Sequence, residues 1–216
     1  MFRVGQDIDP SIFNNLLQIL QTKPLEINKY RKNSGLGRSQ CFGIVKQRTS
    51  NFHGSRQNFA RMDIFKELLQ IAPMILPIDF SFDAIQVNDN YQTAEHRDVG
   101  NRDESAIIGF GEYIGGDLIV EETPVSIKHR VVFFNGSLYR HSTAPYQGSR
   151  YSLVFFKVNK VFTQKPNYSF EDKYLVEEMN EVTRWFNKKG ENVWSSDGTL
   201  RTRRMRSPTL SACIEE

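Results

Sequence analysis

Cysteine is nearly missing from this chain of 216 residues, with only Cys41 and Cys213 present. Two distant thiols cannot build a disulfide framework. Such sparse use fits a reducing compartment, so an intracellular protein of the cytosol or nucleus, not a secreted one, is expected. Long apolar runs are missing too. No stretch approaches the roughly 18 residues of a membrane span, so no membrane partner is expected. The opening MFRVGQDIDPS carries Asp7 and Asp9 where a secretory leader has its apolar stretch. No fixed-period repeat points to a solenoid. Gly109, Gly111, Gly115 and Gly116 lack the strand–loop–helix setting of a phosphate cradle and read as bends and a turn. What remains is a globular composition: 39% hydrophobic and 12% aromatic, far above a disordered chain.

Acid is missing from one long window. Between Glu26 and Asp63 there is no carboxylate, while residues 1–60 hold nine Lys/Arg against three Asp/Glu. The overall charge of +3 conceals this asymmetry. Arg38, Lys46, Arg48 and Arg56 lie in the window among Gly, Ser and aromatic residues, which makes them candidates for phosphate contacts. The plainer alternative is a solvated basic face.

Periodicity divides the chain. Asp9-Pro10 is a capping acid followed by proline at a first helical position, and Ile12, Phe13, Leu16, Leu17 and Leu20 follow at helical spacing. The pattern predicts helices over 10–21 and 62–72, with one strand at 40–45 between them. After Pro77 the period changes to two, predicting strands at 82–91, 105–113, 117–122, 126–134 and 150–161. Turn pairs such as Gly115-Gly116 and Asn135-Gly136 separate them, and strands so spaced imply a sandwich or barrel. Tyr174, Leu175, Met179, Val182, Trp185 and Phe186 predict a third helix over 169–189. A basic, polar tail covers 191–216. The expected organisation is one domain over 1–190: a helical and basic segment at 1–75, a strand core at 78–162 and the last helix.

Only four histidines are present, at 53, 96, 129 and 141. His96 and Asp98 stand two apart, and in an extended chain such residues point to the same side. Two ligands so placed can grip one metal. With a second histidine they make the two-His, one-carboxylate set of non-haem Fe(II) sites. An HxD pair alone is weak, and a surface pair near a turn is its plain alternative. His141, 43 residues beyond Asp98, is the preferred third ligand. His129, in mid-strand, is the rival. What favours His141 is the string that follows it, Gly148-Ser149-Arg150-Tyr151-Ser152. In a strand Arg150 and Ser152 share one face, and an inward arginine is a buried charge that seeks an anion. A guanidinium takes a carboxylate through two parallel hydrogen bonds, to which the serine hydroxyl adds a third. Upstream, Gln86, Asn88 and Asn90 place amides on one face of a strand just before His96, so a buried amide can orient the same acid.

HRD at 96–98, His141 and RYS at 150–152 resemble the 2-oxoglutarate/Fe(II)-dependent oxygenase superfamily. The strings QVNDNYQTAEHRDVGN, AIIGFGEYIGGDL, FFNG and HSTAPYQGSRYSLVFF are similar to its TET/JBP-like branch, whose members oxidise methyl groups on nucleic-acid pyrimidines. The resemblance covers about 80–160, and more loosely 34–62. It implies an α+β protein with a double-stranded β-helix (jelly-roll) core and flanking helices. It implies Fe(II) held by His96, Asp98 and His141, with 2-oxoglutarate and O2 as cosubstrates. It implies a cosubstrate clamp of Arg150 and Ser152, with Asn88 as a further contact. A DNA or RNA substrate is the leading expectation, with Arg38, Lys46, Arg48 and Arg56 as its contacts. A protein or small-molecule hydroxylase, or a jelly-roll binding module without turnover, are the alternatives.

Overall fold

The computed structural model describes residues 1–27, 35–46, 52–55, 57–158, 175–177 and 184–186. The strands are β1 (Phe2–Asp7), β2 (Gly35–Lys46), β3 (Phe52–Gly54), β4 (Ala84–Thr93), β5 (Asn101–Phe110), β6 (Tyr113–Gly115), β7 (Leu118–Val120), β8 (Thr123–Val125), β9 (Arg130–Phe134), β10 (His141–Thr143), β11 (Tyr146–Gly148) and β12 (Tyr151–Val158). Two more, β13 (Leu175–Glu177) and β14 (Arg184–Phe186), pair antiparallel with each other. The helices are α1 (Asn14–Thr22), α2 (Gln57–Ala60) and α3 (Met62–Ile75). No helix among the described residues is long and apolar enough to cross a membrane.

Seven strands form the large sheet in the order β1-β9-β5-β12-β4-β2-β3. The first 75 residues therefore supply both of its edges, β1 at one side and β2 with β3 at the other. A smaller layer is built from β10-β7-β8 and from the β11-β6 pair. Alternation along β12 sends side chains to two different cores. Tyr151, Leu153 and Phe155 join the apolar cluster under the helices, with Phe13, Leu16, Leu20, Ile64 and Leu68. Arg150, Ser152 and Val154 have the opposite parity. Val154 packs against the second cluster, where Ile107 and Phe134 of the large sheet meet Leu118 and Val120 of the small one. The expected jelly-roll core with flanking helices is the architecture observed.

The first helix begins as its sequence predicts. The Asp9 carboxylate accepts from the Ser11 backbone N–H at 2.9 Å, and Pro10 opens a 3-10 turn that runs into α1. The buried guanidinium of Arg61 donates to the Lys23 carbonyl at 2.8 Å, so it satisfies backbone left open at the end of α1. The second helix runs past its predicted end. Pro73 lies inside α3, and the Leu76 N–H still closes on the Ala72 carbonyl at 2.9 Å. A proline in the last turn removes one donor without stopping that bond. The helix expected over 169–189 is corrected at the residues described there, which are the short strands β13 and β14. The other residues of that span, and the tail over 191–216, lie outside the described residues.

Phe13 is the anchor between helix and sheet: fully buried, with its ring stacked on Phe110 at 4.6 Å between centroids. Phe13→Ala removes that ring from a close-packed site. A loss of about 3–5 kcal/mol is expected, read as a fall in the denaturant midpoint at unchanged slope.

Candidate metal centre

Strand pairing, not sequence spacing, makes the site. After β4 the chain leaves the large sheet, and His96 forms an antiparallel bridge with His141, the first residue of β10. The two backbones exchange both hydrogen bonds, His96 N–H to His141 O at 3.0 Å and His141 N–H to His96 O at 2.9 Å. Asp98 is fixed next, its N–H donating to the Gly136 carbonyl at 2.8 Å. The result brings one ligand atom from each of His96, Asp98 and His141 within 4.8 Å of one another. His96 Nε2 lies 3.3 Å from Asp98 Oδ1, and His141 Nε2 lies 3.5 Å from Asp98 Oδ2.

Both imidazoles are oriented from behind. His96 Nδ1 contacts the Ala94 carbonyl at 2.9 Å, and His141 Nδ1 contacts the Tyr139 carbonyl at 3.2 Å. A carbonyl only accepts, so Nδ1 of each ring donates there, and that contact turns Nε2 toward Asp98. Burial by itself raises the Asp98 pKa. The hydrogen bonds and charge of His141 and then His96 outweigh it, and hold the carboxyl well below the usual carboxylate range. Two imidazole nitrogens and an ionised carboxylate on one side of an open point are the donor set of a facial Fe(II) site. His129, the rival ligand, stands in left-handed backbone at φ 55° between Lys128 and Arg130 and is not part of this group.

From the triad a cavity of about 140 Å³ runs inward between the two sheets, past Ile107, Leu118 and Phe134 to Asn88 and Ser152. That is some ten times the space one water needs. Asn88 and Ser152 face each other across β4 and β12, and Asn88 Nδ2 donates to Ser152 Oγ at 3.1 Å. Asn88 Oδ1 is buried without a partner among the described residues. Asn90 does not share that face as its alternation predicts. Its backbone turns left-handed at φ 49°, and its Oδ1 accepts from the Arg150 backbone N–H at 2.9 Å.

Arg150 lies one step beyond the cavity wall, on the same strand face as Ser152. It is the largest fully buried side chain among the described residues. Its Nε donates to the Gly116 carbonyl at 3.1 Å, and its guanidinium lies 5.6 Å from the ring centres of both Tyr113 and Tyr146. Gly116 has φ +72°, and a β-carbon there would meet Arg150 Nε at 2.7 Å, so glycine is needed for the arginine to pass. Among the described residues no carboxylate pairs with Arg150. Burial lowers its pKa, opposed by Tyr113, Tyr146 and Asp117.

The basic segment is seen only in part. Arg38 is half-exposed and stands 3.9 Å from the buried Asp89 in a loose ion pair. Burial raises the Asp89 pKa, and Arg38 opposes the shift. Lys46 ends β2, and nothing of its side chain is described. Arg48 and Arg56 lie outside the described residues. The tyrosine collar around Arg150 was not legible in the sequence, because Tyr113 and Tyr146 meet only through the β6–β11 pairing.

No protein-family model and no curated protein matches the sequence. Solved structures do match. A structure of NgTET1 in complex with 5mC DNA aligns with 76% of this chain and 74% of its own, at TM-score 0.55 and 15% identity. A Pseudomonas putida prolyl-4-hydroxylase aligns with 73% of this chain and 92% of its own, at TM-score 0.45 and 17% identity. The chain thus has the fold of the NgTET1 structure, the double-stranded β-helix that its motifs implied through their resemblance to the 2-oxoglutarate/Fe(II)-dependent oxygenases.

Proposed function

We propose that the chain is an Fe(II)- and 2-oxoglutarate-dependent oxygenase, and that it oxidises a methyl group on a pyrimidine base in DNA or RNA. One observation carries the first part. A fully buried arginine, without a carboxylate partner among the described residues, lies on the face of β12 that leads, through Ser152, to a His-Asp-His cluster. A desolvated cation of that kind is costly unless an anion completes it. A dicarboxylate that chelates the metal at one end and meets Arg150 at the other accounts for both features.

His96, Asp98 and His141 would hold the iron, the two Nδ1 contacts keeping their rings in place. Arg150 and Ser152 would bind the far carboxylate, with Asn88 orienting the serine. Ile107, Leu118 and Phe134 give the cavity between them its apolar wall. When bound, the metal and cosubstrate supply O2 activation coupled to oxidative decarboxylation.

Two observations support a nucleic-acid substrate: the acid-free basic window of the sequence, and the likeness to a structure that holds 5mC DNA. A base in a duplex is out of reach of a recessed metal and would have to be turned out of the stack. The test is incubation with Fe(II), 2-oxoglutarate and methylated DNA or RNA, followed by nucleoside mass spectrometry and succinate assay. Oxidised methylpyrimidine together with succinate is the expected result. Succinate formed without any oxidised base would move the substrate to a protein or small molecule, and absence of both would leave a binding module. Affinity for methylated duplex is also expected to fall roughly 100-fold from 50 to 200 mM salt if about four phosphates are contacted. A flat salt dependence would remove the basic segment from the interface.

A further inference from the structure

We infer that Tyr113 is a third binding group for the distal carboxylate of the cosubstrate, its hydroxyl donating to the anion beside Arg150 and Ser152. The inference rests on the oxygenase reading and adds to it a residue that neither motif contains. Tyr113 is buried beside the Arg150 guanidinium, which can only donate to its hydroxyl, and among the described residues no acceptor takes the hydroxyl's own proton. A buried hydroxyl left open is rare, because losing water without a replacement costs free energy.

The place of that hydroxyl ties it to the clamp. A β-carbon added at Gly109 would meet Tyr113 Oη at 2.4 Å, so the tyrosine fills the side-chain space that Gly109 leaves empty. Gly109 is the register partner of Ser152, and Ser152 in turn faces Asn88. Directly opposed residues hold their side chains about 5 Å apart on the same face. The hydroxyl therefore ends a transverse row, Asn88–Ser152–Gly109, on the inward face, with Arg150 beside it. The ring lies edge-on to Tyr146 at 6.4 Å, with Lys128 Nζ 5.1 Å from its centre while that amine donates to the Tyr113 backbone carbonyl at 2.9 Å. Burial, opposed by Arg150, pushes the Tyr113 pKa up to about 12, so the hydroxyl keeps its proton at neutral pH and can donate it. An arginine, a serine and a tyrosine on one inward face suit a carboxylate, which has lone pairs for all three.

The test compares two acids on the full chain loaded with Mn(II), by titration calorimetry. One is 2-oxoglutarate; the other is 2-oxopentanoate, which chelates alike but ends in a methyl group. Tyr113→Phe keeps the ring and deletes the hydroxyl. It is expected to weaken 2-oxoglutarate binding roughly tenfold or more and to leave 2-oxopentanoate unchanged. Gly109→Ala, which displaces the hydroxyl without deleting it, is expected to give the same selective loss. Equal loss for both acids would make Tyr113 a packing residue, and no loss for either would remove it from the pocket. Wild-type protein that binds neither acid would defeat the oxygenase reading, and this inference with it.

Discussion

Asp98→Ala protein, loaded anaerobically with Fe(II) and desalted, is expected to retain less than about a tenth of the metal held by wild type. The carboxylate is the middle of the cluster. Each histidine Nε2 lies within 3.5 Å of one of its oxygens, and it brings the only negative charge among the three groups. Loss of groups that merely orient a ligand costs 10–100-fold in affinity, so loss of a ligand itself costs at least as much. The fold is expected to stand. Asp98 is held in the chain by its backbone bond to Gly136, which alanine keeps, and its side chain is about one quarter exposed. Metal analysis beside circular dichroism separates the two effects. Full iron stoichiometry in the variant would mean that the three residues meet for a structural reason, and a collapsed spectrum would mean that the triad is a folding element.

The sequence made parts of this site legible for definite reasons. Arg150 and Ser152 could be placed on one face of β12, and Tyr151 with Leu153 on the other, because the strand runs between two cores and keeps a period of two until the irregularity after Phe155. The pairing of His96 with Asp98 was equally local. That His141 joins them is a matter of long-range pairing. Spacing alone did not decide between His141 and His129, and the bridge between His96 and His141 does. Asn90 departed from its face because asparagine tolerates left-handed backbone, which breaks the alternation at that one residue. β1 gave no signal. Only Phe2 and Gly5 are even partly covered, since an edge strand with one exposed side carries no apolar stripe. The apolar residues of 174–186 fit a helical period on paper, yet the described ones pair as strands. Three-residue strands are too short for periodicity to report.

Arg150→Met is expected to separate stability from binding. In most folded proteins, truncating a buried arginine strands its partner charge, which is strongly destabilising. Here no carboxylate pairs with it among the described residues, so the substitution strands no ion-paired charge. It gives up the bond to the Gly116 carbonyl and the contacts with Tyr113 and Tyr146. In return it removes a desolvated charge and fills the same channel with an unbranched apolar chain. These contributions oppose one another at the level of about 1–2 kcal/mol each, so the variant without ligands is expected to melt within about 4 °C of wild type. Binding should respond quite differently. A two-pronged charged pair in a dry pocket is worth roughly 2–5 kcal/mol when one side is removed, which predicts a loss of 2-oxoglutarate affinity of 30-fold or more. The contrast can be read in one thermal-shift series with Mn(II) present. At about 100 times its dissociation constant, 2-oxoglutarate should stabilise wild type by about 2.7 kcal/mol and the variant scarcely at all. If the variant instead unfolds more than 10 °C early without ligands, Arg150 holds the turn at Gly116 in place, and its buried charge is structural. If it melts normally and still responds to 2-oxoglutarate as wild type does, the carboxylate is met elsewhere and the clamp must be reassigned.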